Sequence, residues 1–430
     1  MKEKIQEITT EKLLDFIENK RGSVIDIRPM AAYNGWPLQQ EARGGHIQSA
    51  KSIPLSWTRY MDWVEVPGEK KISKEEPVVV YGYEDDAIRD MAGQLAELGF
   101  SKVLVYSQFT GEWAAHSNLP MQRLARYKQL VYPEWVSQLI NDKNPPGFDG
   151  GSYVICHSHY GYLEDYQKGH IPGAIALDTN LLESSEAWNR RSPEELEEAL
   201  EDLGIRHDTT VVVYGRFSAP VYDEEEFPGK SAGHLGAMRC AAIMMYAGVK
   251  DVRILNGGIT SWENAGYSLS TDDVSPEPVA DFGISIPAHP EYIIDMPEAK
   301  QLIQSPEGEL VSVRSRREFI GEYSGYHYIE KKGRIPGAVF GNGGSDAYHM
   351  ENYRNFDHTI REASDIIGKW AEIGITPDKR IAFFCGTGWR GSEAFINAYL
   401  MGWNNMAVYD GGWYEWSSEP GNPIETGLPE

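Results

Sequence analysis

One short segment concentrates the reactive side chains of this chain. It reads Cys385, Gly386, Thr387, Gly388, Trp389, Arg390, Gly391 and Ser392. It follows the apolar run Ile381 to Phe384, which suits a buried strand of a parallel sheet. A helical pattern follows, with Phe395, Ala398 and Tyr399 on one face. A cysteine there stands where open α/β sheets place their ligands. The free N–H groups and dipole of a following helix favour negative charge nearby, hence thiolate. The three glycines permit tight turns, so that successive N–H groups can form an anion-binding nest. Arg390 adds a permanent positive charge with a planar fork of donors. The expected chemistry is nucleophilic attack by Cys385 on a small anion. Arg314, after a first strand ending near Val313, can pair with the local Glu318.

The two other cysteines lack such a setting. Cys240 lies in the apolar helical stretch MRCAAIMMYAG, and Cys156 ends a first strand without a glycine cradle. Both read as packing residues. Three widely separated cysteines imply neither a disulfide framework nor a CxxC metal site. His157 and His159 match no standard metal spacing and read as exposed or hydrogen-bonded side chains. Neither a metal nor an organic cofactor is expected.

The elements that must position the loop recur three times. GGHIQSAKSIP begins at Gly44, KGHIPGAIALD at Lys168 and KGRIPGAVFGN at Lys332. Apolar runs then end at Gly82, at Gly215 and at Cys385. Helix-ending glycines follow at Gly99, Gly248 and Gly402, and the closings FTGEW, NGGITSW and DGGWYEW end at Trp113, Trp262 and Trp416. Each unit opens with a helix and a short strand. Alternating strand and helix predicts an α/β fold with mainly parallel sheets flanked by helices. Polar and Pro-rich stretches, Ser117 to Gln129 and Ser270 to Pro290, predict domains over 1–127, 128–275 and 276–430. Only the third has the cysteine. The second is longer: Gly215 to Gly248 spans 33 positions, against 17 for Gly82 to Gly99 and for Cys385 to Gly402. The extra segment, around Asp223 to Glu226, reads as an acidic solvated loop or a wall of the neighbouring cleft. The third unit has Arg334 where the others have His46 and His170.

The 430 residues are 41% hydrophobic and carry a formal net charge of -24. That excludes the basic footprint of nucleic-acid binding. No apolar run approaches the roughly 18 residues of a membrane span. The opening MKEKIQEITTEKLLDF has no apolar signal core, so a cytoplasmic location is expected, or a periplasmic or exported one if a signal peptide was removed.

CGTGWR resembles the CxxGxR active loop of rhodaneses, and the GHIPGA-like and GGxxxW segments resemble landmarks of that family. The resemblance covers nearly the whole chain as three tandem rhodanese-like domains. It is most similar to bacterial triple-domain thiosulfate or 3-mercaptopyruvate sulfurtransferases, in which the last domain carries CGTGWR. The resemblance implies that Cys385 takes sulfur from a small anionic donor, forms a persulfide and passes it to a thiol, cyanide or protein-cysteine acceptor. It implies a donor-binding role for Gly386, Thr387, Gly388, Trp389, Arg390 and Gly391, and one for Arg314. Three rivals stand beside it. One is a persulfide carrier loaded by a cysteine desulfurase. Another is a binding protein. The last is a phosphatase or arsenate reductase, whose loop in related folds has five residues between Cys and Arg where this chain has four.

Overall fold

A computed structural model describes residues 6–184, 186–217 and 233–429. The acidic run Asp223 to Glu226 lies outside them. The chain forms two compact units, one ending at Lys128 and the other running from Gln129 onward, and the second unit holds two sheets.

The recurrence in sequence is a recurrence in topology. The first sheet runs Gln6–Glu7, Val103–Tyr106, Val78–Tyr81, Ser23–Asp26, Lys51–Ser52. The second runs Leu130–Val131, Asp251–Leu255, Thr210–Gly215, Tyr153–His159, Ile175–Asp178. The third runs Ile293–Ile294, Met406–Tyr409, Arg380–Phe384, Gly308–Ser312, Val339–Phe340. In chain order all three sheets are 1-5-4-2-3, and every pair within them is parallel. The central strand of each is the apolar run that ends at Gly82, at Gly215 or at Cys385, and it is buried because both faces are covered.

Local chemistry sets the helix starts. Pro133, Pro193 and Pro297 sit in first turns, where their missing N–H costs nothing. Reciprocal capping boxes open helices at Ser192 with Glu195, at Asp295 with Glu298 and at Ser315 with Glu318. The helix Gly233–Ala247 is buried at every position. It packs on its own sheet and along the helix Trp389–Leu400 of the third domain, which explains why its sequence, His234 and Arg239 apart, is apolar on all sides rather than on one stripe.

Two expectations need correction. The strand through Cys156 does not stop there but runs Tyr153–His159, because it pairs with Thr210–Gly215 as far as Ser158 and with Ile175–Asp178 as far as His159. His157 and His159 are therefore buried in a sheet rather than exposed. His157 lies against the rings of Tyr166 and Tyr214, and among the described residues neither of its ring nitrogens has a hydrogen-bond partner. Burial lowers its pKa to about 3, so it packs as a neutral ring. Among the described residues, no helix is long and apolar enough to cross a membrane.

Candidate active site

Register brings three chain segments to one edge of the third sheet. Ser312 pairs with Phe384, and Phe383 pairs with Val408. Arg314, Cys385 and Asp410 therefore all leave the sheet at the carboxyl ends of adjacent strands.

Cys385 is fully buried. The helix Trp389–Leu400 begins inside the motif, with Gly388 as its N-cap at φ +91°. That leaves the first N–H groups of the helix without intrahelical acceptors four residues from the sulfur. The Gly388 carbonyl accepts from the Ser392 N–H (2.8 Å) and hydroxyl (2.9 Å). The Cys385 and Gly386 carbonyls accept from the Trp413 and Tyr414 N–H groups, both at 2.9 Å. The loop is thus tied to two helix N-termini.

The glycines have three different reasons. Gly388 supplies the left-handed turn. Gly386 lies under the Tyr326 ring, where a Cβ would come within 2.2 Å of a ring carbon. Gly391 sits in the helix, where a Cβ would meet the Phe383 carbonyl oxygen at 2.9 Å.

Arg390 is buried and donates to Glu318 Oε2 (3.0 Å) and Oε1 (2.8 Å), to the Asp346 carbonyl (2.9 Å) and to the Tyr326 hydroxyl (2.8 Å). Its Nε has no hydrogen-bond partner among the described residues. Arg314 is equally buried and donates to Glu318 (3.3 Å) and to the Gly333 (2.8 Å) and Ser324 (3.3 Å) carbonyls. Of its two readings, the structure displays the pairing with Glu318. Burial alone would raise the Glu318 pKa, but the Arg390 and Arg314 guanidiniums outweigh it and hold the carboxyl below its usual range. Two arginines share one carboxylate, which leaves an excess positive charge beside the thiol.

Aromatic rings wall the same place. Tyr328 bonds to Thr387, lies near Cys385 and stacks on Trp188 at 4.4 Å. Tyr326 meets Tyr328 at 5.3 Å and Tyr348 at 6.1 Å, and Tyr160 meets Trp389 at 5.6 Å. Trp188 and Tyr160 belong to the second domain. So does Glu183, whose two carboxylate oxygens accept from Trp389 Nε1 at 2.8 and 3.0 Å. Sequence reasoning missed these residues, as it missed Tyr326, Tyr328 and Asp410. Asp410 alone left a sign, in the DGG turn; the others are distant in sequence and carry no local motif.

The corresponding positions elsewhere are filled. A Cβ on Gly215 would stand 2.1 Å from the Gly233 carbonyl oxygen, and one on Gly82 would stand 2.6 Å from an Ile27 side-chain carbon. Burial pushes the Cys156 thiol up to about 12 and the Cys240 thiol well above its ordinary value, which keeps both protonated. His46 and His170 stack on Tyr33 and Tyr166, with ring centroids at 3.7 and 3.8 Å. Arg334 takes the same place over Phe319, at 5.3 Å.

The rhodanese-like domain family matches residues 9–116, 133–265 and 295–419. The chain belongs to the rhodanese family. It is 40% identical to the thiosulfate sulfurtransferase YnjE of Escherichia coli, over 98% of this chain and 93% of that one. The sulfur carrier protein TtuD of Thermus thermophilus is 30% identical over 69% of this chain and 96% of that one. The activity class of this rhodanese is sulfur transfer. Solved chains of EanB, in complex with ergothioneine and in two cases with a cysteine persulfide, match at 51% identity and a TM-score of 0.97 over 99% of this chain and 100% of theirs. An anaerobic ergothioneine biosynthesis enzyme from Chlorobium limicola, solved with its natural substrate trimethyl histidine, matches equally well, at 51% identity and 0.97, over 99% of this chain and 100% of that one.

Proposed function

We propose that this rhodanese carries sulfur as a persulfide on Cys385. A small donor such as thiosulfate or 3-mercaptopyruvate loads it, and an acceptor then takes the outer sulfur. The observation that carries this reading is a buried thiol at a helix N-terminus beside two arginines that share one carboxylate. With thiosulfate, the Cys385 thiolate attacks the outer sulfur. A new S–S bond forms, the donor's own S–S bond breaks, and sulfite leaves with the electron pair. Loop N–H groups and the excess arginine charge hold the terminal sulfur as an anion.

A trimethylated histidine is the acceptor that the aromatic wall favours. A quaternary ammonium is attracted to the faces of Tyr and Trp rings, and Tyr326, Tyr328, Tyr348, Tyr160, Trp188 and Trp389 gather there. The EanB forms support the transfer of this reading. The tyrosine varied in them lies 59 positions before the persulfide cysteine, and the varied threonine two after it. Tyr326 and Thr387 keep the same separations from Cys385. In this step the imidazole carbon gains the outer sulfur and loses its proton, the S–S bond breaks, and Cys385 returns as thiol.

A phosphatase reading is not favoured. Four residues separate Cys385 from Arg390, one fewer than in the phosphatase loops of related folds, and a shorter ring suits sulfur better than a tetrahedral phosphate.

The test offers the persulfidated protein trimethyl histidine, cyanide or a small thiol, and follows the products by mass spectrometry. A sulfur-bearing imidazole formed faster than thiocyanate or the small thiol's own persulfide supports the imidazole acceptor. Turnover with cyanide and thiols only would restrict the chain to thiophilic acceptors. Slow loading by thiosulfate and 3-mercaptopyruvate, but fast loading by a cysteine desulfurase, would make it a carrier.

A further inference from the structure

The second domain has no reactive cysteine, yet it places a guanidinium beneath the catalytic loop. Arg239, on the helix Gly233–Ala247, is fully buried. Its Nε donates to Glu183 at 3.0 Å, and its Nη2 donates to the Trp188 carbonyl at 2.8 Å and to Asp410. Asp410 belongs to the third domain and follows the strand Met406–Tyr409. It also accepts from the Arg190 N–H (2.9 Å) and guanidinium (2.7 Å), and Arg190 in turn reaches Asp295.

Two features tie this knot to the loop rather than to the domain boundary alone. The remaining nitrogen of Arg239, Nη1, is buried and has no hydrogen-bond partner among the described residues. It lies 3.2 Å from the point where a Cβ on Gly388 would stand, so the guanidinium occupies the open side of the residue that caps the catalytic helix. The carboxylate that Arg239 grips, Glu183, is the one that receives Trp389 Nε1. Arg239 thus bears on Gly388 directly and on Trp389 through one intermediary.

We propose that Arg239 is a positioning residue for sulfur transfer: it fixes the Gly388–Trp389 turn, and with it the N–H groups that receive the terminal sulfur of Cys385, from a neighbouring domain. The role rests on Cys385 as the sulfur-bearing residue. It also gives the second domain a task that needs no cysteine of its own. Loss of the support lets the loop donors drift, and misplacements on the order of 1 Å cost up to about a hundredfold in rate.

The test uses the full chain as wild type, Arg239→Met, Arg239→Lys and Glu183→Gln. Two readouts are followed. One is the rate of persulfide loading against thiosulfate concentration. The other is the rate at which iodoacetamide alkylates Cys385, located by peptide mapping, which needs no sulfur chemistry. In folded Arg239→Met, the saturating loading rate is expected to fall by roughly tenfold to a hundredfold, with a smaller change in half-saturating thiosulfate. Alkylation slows with it. Arg239→Lys, which keeps the charge but not the fork, recovers part of the loss. Folded Arg239→Met with wild-type rates in both readouts overturns the proposal. Where Arg239→Met does not fold, Glu183→Gln decides, and unchanged loading and alkylation there overturn it as well. If the wild type takes up no sulfur, the persulfide reading fails, and the alkylation rates alone judge Arg239.

Discussion

At the scale of single residues, the loop is defined by what it leaves no room for. A methyl group on Gly386 would stand 2.2 Å from a carbon of the Tyr326 ring. Gly386→Ala should push that ring away, break the 2.8 Å bond between Arg390 and the Tyr326 hydroxyl and slow persulfide loading by about a hundredfold. Stopped-time mass spectra check this, with circular dichroism as control for folding. Glu318 makes a second prediction. Replacing it with Gln leaves two buried guanidiniums without their anion and should cost about 3–5 kcal/mol, measurable by urea unfolding. The carboxyl is held below the ordinary 4.5. Its stabilisation is therefore complete above that value and is lost as the pH falls through the lowered one. Wild type should lose its advantage over Glu318→Gln on acidification below about pH 4.5. Cys385, Arg390 and Glu318 were legible in sequence because they lie within short motifs. Tyr326 was not, because 59 residues separate it from the thiol it covers.

At the scale of elements, the repeat was readable almost throughout. Three glycine-basic-Ile segments and three apolar runs correspond to three sheets of identical strand order. Apolar periodicity and turn residues are local signals, and the α/β pattern obeys them. Pairing on both sides is not a local signal, so the extension of Tyr153–His159 past Cys156 and the burial of His157 went unread. The same geometry explains why the cysteine cannot simply be restored to the second domain. In Gly215→Cys the Cβ would overlap the Gly233 carbonyl oxygen at 2.1 Å, and backbone cannot step aside as a side chain can. This variant should be destabilised by about 1–3 kcal/mol and should add no second sulfur on treatment with thiosulfate. Thermal unfolding and intact mass check the two parts.

At the scale of the whole molecule, the site is composite. Cys385 and its loop come from the third domain, while Glu183, Arg239, Trp188 and Tyr160 come from the second. No single repeat contains this information: sequence reading placed the chemistry in one loop and offered the second domain only an extra segment that could wall the neighbouring cleft, whose acidic run lies outside the described residues. Burial, with the like charge of Asp410 adding to it, pushes the Glu183 pKa up to about 7 from the ordinary 4.5, against the pull of Arg239 and Trp389. Between those values the folded chain holds a proton that the unfolded chain has released, so stability falls as the pH rises through that window. Glu183→Gln lacks this term. Its unfolding midpoint should gain on wild type from about pH 5 to pH 7, as followed by thermal denaturation in matched buffers.

The most direct test of the central claim is the intact mass of the purified chain after incubation with thiosulfate and, separately, with 3-mercaptopyruvate, beside a Cys385→Ser control. The persulfide account predicts a gain of one sulfur atom that a thiol reverses and that the control lacks. An unchanged wild-type mass with both donors, or an equal gain in Cys385→Ser, would contradict it.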